Sequence, residues 1–580
     1  EGAALQGFEA MLTEIEKMHR FGFTDAEFER AKNEVLSQYE AAANKADTRK
    51  NAEFVMPMIS NFFDNYAFMD PVTEYQTVQA LLGQFNAGIL NQLAQQLITR
   101  DNMVVIYSGP EHEGAVLPEA DAVQSIIDKV AAAEYTMEAG EEIPSEFLNP
   151  ASLKGGKVKK TADGLYGSEV LTLKNGVKVI LLPSDREKDR ISFNIFKKGG
   201  QSLISDEDLY SFEDNIWALY QQNTGVAAFP ATTVSKMLSG KQVAVSPYIN
   251  GYTHGVSATS TTKDIETAFQ LMYLYFTAPR FDADEYAKGI SQIENILPNL
   301  ENQPNWQLQK QISKTIYDSP RRFTLDEDVL AKANLQTIEK NYRKLFKDAA
   351  GATLVIVGDF DRETIVPLVE KYAGSLAGGK KAKGWQYRND GIISGRKVND
   401  FRTAMQTPMV TVVQVYKADK PYSVKDEVNG TALSYILNMI YTETLREEEG
   451  GTYGASAVAQ LTHEPNEMHI LQVAFQTNEE QADKLRELAV KGLEDLAKNG
   501  PDAEKFEKAR KNMDKTVPEN KLHNAWWSSA LQDAEKYGID YVTEYEAAVK
   551  ALSPEDVKKA AEELLASGNF IELVMRPEVK

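Results

Sequence analysis

The run Leu445-Arg446-Glu447-Glu448-Glu449-Gly450-Gly451-Thr452-Tyr453-Gly454 places a guanidinium and a phenol seven residues apart, on either side of a double glycine. Arginine brings a permanent charge with several N–H donors, and tyrosine a neutral O–H donor. Held on a stiff frame, the two suit gripping a peptide carbonyl, or the oxyanion which that carbonyl becomes when attacked. The frame is legible as well. An apolar helical stretch from Ala432 to Leu445 leads in, the glycines turn the chain, and a strand pattern follows. A plainer use exists for the same residues, with Arg446 neutralising the helix C-terminus and Tyr453 packing half-buried. Spacing alone leaves both uses open.

The chain around this run has 580 residues, 43% of them hydrophobic and 26% charged, which is globular composition for several domains. A net charge of −22 argues against nucleic acid and anionic membrane as partners. No glycine loop with a phosphate-cradling lysine is present, which leaves a nucleotide-binding role poorly supported. The absence of cysteine excludes disulfides, thiolate nucleophiles and Cys-based metal sites. No apolar run reaches the length of a membrane span.

A repeating unit organises the chain. Helix entries with an acidic first turn recur at Phe23-Thr24-Asp25-Ala26-Glu27, Phe281-Asp282-Ala283-Asp284-Glu285 and Gly500-Pro501-Asp502-Ala503-Glu504. Each copy is expected to close on an apolar strand: Met103 to Tyr107, Thr353 to Val357, and Phe570 to Val574. The second and third copies follow long strand-and-helix patterns, whereas only 22 residues precede the first. The first copy therefore reads as the back half of a domain whose front strands lie elsewhere. The middle domain opens with a hairpin, Val170 to Leu173, Asn175-Gly176, and Val177 to Leu181. A polar stretch from Glu111 to Gly164 and a Gly/Lys-rich one from Gly374 to Gly395 read as tethers, the second able to let flanking domains open and close.

On these patterns the chain resembles the pitrilysin/insulinase family of zinc peptidases. The segments that carry the resemblance are Leu238-Ser239-Gly240-Lys241 to Ser246-Pro247, Gly255 to Ser260, Leu271 to Phe281, and Val357-Gly358-Asp359-Phe360-Asp361. The resemblance implies an α+β fold of repeated insulinase/mitochondrial-processing-peptidase-like domains, each a mostly antiparallel sheet covered by helices. It implies residues 1–112 as the back half of family domain two, 113–164 as linker, 165–375 as domain three, 376–394 as linker, and 395–580 as domain four.

The family's metal motif, H-x-x-E-H, is absent, since no two of the histidines at 19, 112, 254, 463, 469 and 523 are four apart. At the matching place in domain three, Ser211 and Asn215 stand for the two histidines and Asp214 for the glutamate. This implies one helix over Leu209 to Ile216 that has lost its metal, with Glu213 and Asp214 solvated. The family's fourth domain carries an Arg and a Tyr seven apart that contact substrate, so the resemblance assigns Arg446 and Tyr453 to substrate binding.

The implied function is the C-terminal, non-metal-binding portion of a zinc endopeptidase. It would form the wall and substrate clamp of a closed chamber, with a peptide entering by strand addition to a sheet edge. Zn²⁺ would belong to an N-terminal catalytic half, in the same chain or a separate subunit, and this portion alone is expected to bind no metal and to be inert. Export to a bacterial periplasm is implied by the look of the family's bacterial members. The alternative from another class is a non-catalytic peptide-binding or partner subunit, distinguished by whether H-x-x-E-H precedes this sequence.

Overall fold

The computed structural model describes residues 2–99, 103–108, 117–137, 142–379 and 384–578. Two compact units divide the chain, residues 1–147 with 232–243, and the remainder. In the first unit the helices are α1 (Gly2–Phe21), α2 (Asp25–Asn44), α3 (Ala52–Asp64), α4 (Pro71–Leu82), α5 (Ala87–Leu97) and α6 (Ala120–Ala132). Thr24 caps α2 in a reciprocal box with Glu27, as the acidic entry requires. The unit has no sheet among its described residues. The stretch from Met103 to Tyr107, expected as a strand, is irregular, with Val104 78% and Ile106 83% exposed. Its apolar pattern is strand-like, but a strand forms only against a ladder partner, and none is described here. Residues 113–164, expected as a tether, hold α6, whose last-turn carbonyls at Ala131 and Ala133 accept from the Arg20 guanidinium at 2.7 and 2.8 Å.

The second unit holds two sheets. The first is built from β1 (Val158–Asp163), β2 (Glu169–Leu173), β3 (Lys178–Pro183), β4 (Ile191–Lys198), β5 (Val243–Ile249), β6 (Thr253–Ser260) and β7 (Thr353–Gly358). Its helices are α7 (Asp214–Thr224), α9 (Ile265–Thr277), α10 (Ala283–Glu301), α11 (Pro304–Ile316), α12 (Glu327–Lys332), α13 (Leu335–Leu345) and α14 (Arg362–Lys371), while α8 (Ala231–Leu238) counts with the first unit. The second sheet comprises β8 (Arg396–Thr403), β9 (Val410–Asp419), β10 (Ala455–Thr462), β11 (Met468–Thr477) and β12 (Phe570–Pro577). Its helices are α15 (Val424–Tyr441), α16 (Ala482–Asn499), α17 (Ala503–Asn520), α18 (Asn524–Tyr537), α19 (Tyr541–Ala551) and α20 (Pro554–Ala566). The expected hairpin is present, with Leu171 opposite Val179 and Gly176 at φ +93°.

Strand order shows the duplication. The second sheet runs β8-β12-β9-β11-β10, and the first, beyond β1 and β2, runs β3-β7-β4-β6-β5. In each, one parallel pair (β3 with β7, β8 with β12) joins the first strand of the repeat to its last, and the other registered pairs are antiparallel. The joining strands β7 and β12 lie inside their sheets and are buried along nearly their whole length. This explains their unbroken apolar sequence.

The two repeats exchange helices. Ile316 at the end of α11 packs against Val413, Val415, Ile470, Ile571 and Leu573 of the other repeat's sheet. The Asn399 amide on β8 donates to Gln311 Oε1 at 3.0 Å and Thr315 Oγ1 at 2.8 Å on α11. In return, Trp527, Ala530 and Leu531 of α18 cover Ile180, Leu182, Phe196, Val355 and Val357. Ser184 Oγ donates to Asn524 Oδ1 at 2.7 Å, Asn194 Nδ2 to Gln532 Oε1 at 2.7 Å, and Lys178 Nζ to Glu535 Oε2 at 2.5 Å. The described part of the 376–394 linker is fastened as well. Gln386 N–H donates to Ser202 Oγ, the Arg388 guanidinium to Ser202 O, and Ile392 pairs with Tyr317. The expected hinge is therefore not free, because each repeat's sheet is roofed by a helix of the other.

Two histidines occupy the same place in the duplicated sheets, the second residue of β6 and of β11. His254 is wired, with Gly200 N–H reaching Nδ1 at 3.2 Å and Nε2 facing Leu345 O at 3.0 Å. His469 is 1% exposed, and neither ring nitrogen has a hydrogen-bond partner among the described residues. Burial first, then neighbouring Lys197, pushes His254 down to about 3; burial first, then Lys420, pushes His469 down to about 4.

Because unfolded histidine takes up its proton near pH 6.5 and these two resist it until lower pH, their contribution is whole above about pH 6.5. It is lost as pH falls toward about 4 for His469 and about 3 for His254. Urea unfolding at pH 7 and pH 4.5 is expected to show His469→Gln narrowing the stability difference by roughly 2 kcal/mol. Trp527→Ala, which removes an aromatic ring from the exchanged face of α18, is expected to cost about 3–5 kcal/mol by the same measurement.

Candidate functional site

Helix α15 begins at Ser423, whose hydroxyl accepts from Asp426 N–H, and buries Val428, Ala432, Leu433, Ile436, Leu437 and Tyr441. The helix then widens into a π turn over Thr442–Glu448. Thr442 and Thr444 hydroxyls donate to the carbonyls of Asn438 and Ile440, at 2.8 and 2.9 Å, a side-chain competition that loosens helical geometry. Such turns are uncommon and concentrate at functional places. Leu445 is fully buried and anchors the turn, whereas Arg446, Glu447 and Glu448 face solvent.

The chain leaves the turn through Gly450, at φ +60°, and Gly451, where a Cβ would lie 2.7 Å from Leu485 Cδ1. Gly451 N–H donates to Leu445 O at 3.2 Å. Thr477 Oγ1 donates to Gly451 O at 2.6 Å, Gln481 Nε2 to Glu449 O at 3.1 Å, and Lys484 pairs with the Glu449 carboxylate. Tyr453 follows, 93% exposed, two residues before β10. Among the described residues neither the Arg446 nor the Tyr453 side chain makes a hydrogen bond or ion pair. The structure thus presents both groups with unspent donors on a loop fixed from behind. Tyr453 is not packed, and the Glu449 carboxylate is paired with Lys484.

The strand beside this loop is closed along part of its outer edge. Asn438 on α15 both donates to Ala457 O at 2.9 Å and accepts from Ala457 N–H at 2.8 Å, and Ser434 Oγ accepts from Ala459 N–H at 2.7 Å. The corresponding strand β5 of the other repeat is treated alike. Pro247 removes a donor, Gln221 of α7 donates to Pro247 O, and Gln201 Nε2 donates to Ile249 O at 3.4 Å. Strand addition, expected at a sheet edge, is obstructed on both.

The degenerate positions do not assemble a metal site. Ser211 lies in a 3₁₀ turn (Asp208–Phe212), the chain breaks at Glu213 (ψ 141°), and Asp214 and Asn215 begin α7. The expected single helix over 209–216 is therefore two pieces, because Glu213 serves as the N-cap. Its carboxylate accepts from the Asn215 and Ile216 N–H groups and from Asn215 Nδ2. Burial pushes this carboxyl up, so it is not the solvated group expected. Ser211 Oγ, 1% exposed, accepts from Asn334 N–H. A hydroxyl already committed, a neutral amide and one exposed carboxylate do not fit zinc. Among the described residues no group of three or more His, Asp or Glu side chains could hold a metal ion. His112 lies outside the described residues.

Thr477, Gln481, Asn438 and Ser434 went unsingled in sequence because each is an ordinary polar residue with no motif around it, two at an element end and two within α15. Only the fold shows that their side chains meet this loop and this edge.

Comparison with known proteins agrees with this architecture. Residues 332–513 match the family described as the peptidase M16 inactive domain. The Escherichia coli protein named Probable zinc protease PqqL is 22% identical over 588 aligned residues, covering 96% of this chain and 60% of its own length. The crystal structure of the periplasmic protease PqqL from Escherichia coli superposes with a TM-score of 0.67 at 20% identity, over 98% of this chain and 63% of that one. The ferredoxin protease FusC, in a structure of a mutant with Arabidopsis ferredoxin, gives 0.69 at 16% identity, over 99% of this chain and 63% of that one. The chain is thus similar over nearly its whole length to a protein named as a zinc protease, and residues 332–513 match the M16 inactive domain. It spans about 60% of the length of the first of these relatives.

A test of the closed edge follows from its geometry. Asn438→Ala leaves both polar groups of Ala457 without partners and is expected to cost about 1–3 kcal/mol in urea unfolding. Hydrogen exchange at Ala457 N–H should accelerate in the same variant.

Proposed function

We propose that this chain is the non-metal-binding portion of an M16-type zinc endopeptidase. It supplies the wall of a peptide-degrading chamber and a clamp made of Arg446 and Tyr453. The observation that carries this reading is the pair of exposed, unpartnered donors on an anchored loop, within the segment that matches the inactive domain. Their guanidinium and phenol bind and orient a peptide carbonyl and favour the charge that develops on its oxygen. Zinc, held by a separate catalytic half, supplies an activated water and a Lewis acid when bound.

The first unit supports a larger assembly. Phe62 and Phe63 on α3 are 78% and 72% exposed, and α3 has no buried residue, a face of the kind that further protein covers. Export to the periplasm is part of the proposal, by analogy with PqqL. No described helix is long and apolar enough to cross a membrane.

In the complete protein with its catalytic half, Arg446→Ala and Tyr453→Phe are each expected to lower turnover of fluorescein-labelled casein by roughly 100-fold. Unfolding midpoints should stay nearly unchanged, as both side chains are exposed and neither makes a hydrogen bond or ion pair among the described residues. Wild-type turnover in either variant would withdraw the clamp.

A further inference from the structure

The Arg446/Tyr453 loop has no strand of its own to stiffen it. Gly450, the most adaptable residue type, sits in its middle at a positive φ. What removes that freedom is the turn between β11 and α16. The carbonyls on either side of Gly450, those of Glu449 and Gly451, are each taken by a side chain from that turn. Thr477 is 2% exposed and spends its hydroxyl proton on Gly451 O. Gln481 is itself oriented, because Asn478 Nδ2 donates to its Oε1 at 2.7 Å and Asn478 Oδ1 accepts from its N–H at 2.9 Å. With its oxygen so occupied, the Gln481 amide presents its NH₂ to Glu449 O. Gly451 packs against the same turn, with room for no side chain between it and Leu485. Two anchors therefore bracket Gly450, the residue at positive φ between Arg446 and Tyr453.

We propose that Thr477 and Gln481 are positioning residues for the substrate clamp, fixing the backbone that sets where Arg446 and Tyr453 stand relative to each other. This rests on the clamp reading above. Misplacing a binding group by a fraction of its reach lowers turnover far more than it lowers stability. The clamp should thus be tuned from residues that never meet a peptide.

The test uses the complete protein with fluorescein-labelled casein, reading kcat and KM separately, together with hydrogen exchange at Gly451 N–H. Thr477→Val and Gln481→Ala are expected to lower kcat roughly tenfold, with KM within about twofold. Thr477→Ser, which keeps the hydroxyl, should restore kcat, and exchange at Gly451 should quicken in the first two variants only. Wild-type kcat in Thr477→Val and Gln481→Ala, while Arg446→Ala is impaired, would overturn the positioning role and leave the clamp standing. If Arg446→Ala is itself unimpaired, the clamp falls and takes this role with it. Loss of activity that Thr477→Ser does not rescue, or unaltered exchange at Gly451, would likewise overturn it. Should Thr477→Val fail to fold, Gln481→Ala and Thr477→Ser still decide.

Discussion

The exchange of α11 and α18 is the constraint on which the second unit depends. A sheet with one bare apolar face cannot persist in water, and here neither repeat covers its own face completely. Each borrows a helix from the other, so Ile316 completes one core and Trp527 and Leu531 the other. Burial of large side chains of this kind contributes roughly 1.5–3 kcal/mol apiece, and the coupling is reciprocal. Neither repeat can move away without unroofing both sheets. The polar pairs along α18, Asn194 with Gln532 and Ser184 with Asn524, add direction to an attachment that apolar contact alone would leave able to slide.

That locked frame is what makes a loop site reasonable. The Arg446 turn grows out of α15, whose apolar face is sealed in the core, and its far side rests on the end of β11 and the start of α16. Backbone geometry at the loop is thereby inherited from three elements rather than from the loop's own sequence. Among the described residues the Arg446 guanidinium and the Tyr453 phenol are left without partners, the condition under which binding energy goes to a ligand rather than to internal contacts.

Much of this was legible in the residues. The acidic helix entries at Thr24, Asp282 and Asp502 became capped helices, because a side-chain oxygen next to free N–H groups is a local interaction. Asn175-Gly176 made its hairpin for the same reason. Arg446 and Tyr453 stood out through the double glycine, whose backbone demands were met. Non-local facts were hidden. Nothing near Met103 reveals whether a neighbouring strand exists to receive it. The pattern at Leu209 to Ile216 did not disclose that Glu213 would fold back to cap α7 and break the helix. The linker's spacing looked loose, yet Gln386 and Arg388 find Ser202, nearly two hundred residues away in sequence. Helix exchange is invisible locally, since an apolar helix face does not say which sheet it will meet.

The side chains that finish the rims of β5 and β10 carry a consequence for the polypeptide while it is newly made. Bare rims are templates on which like chains stack into fibrils. Asn438, Ser434, Gln221 and Pro247 occupy those rims from within. Like chains are thereby hindered from zipping along these rims, and on β10 the hindrance comes from α15, the same helix that leads into the Arg446 turn.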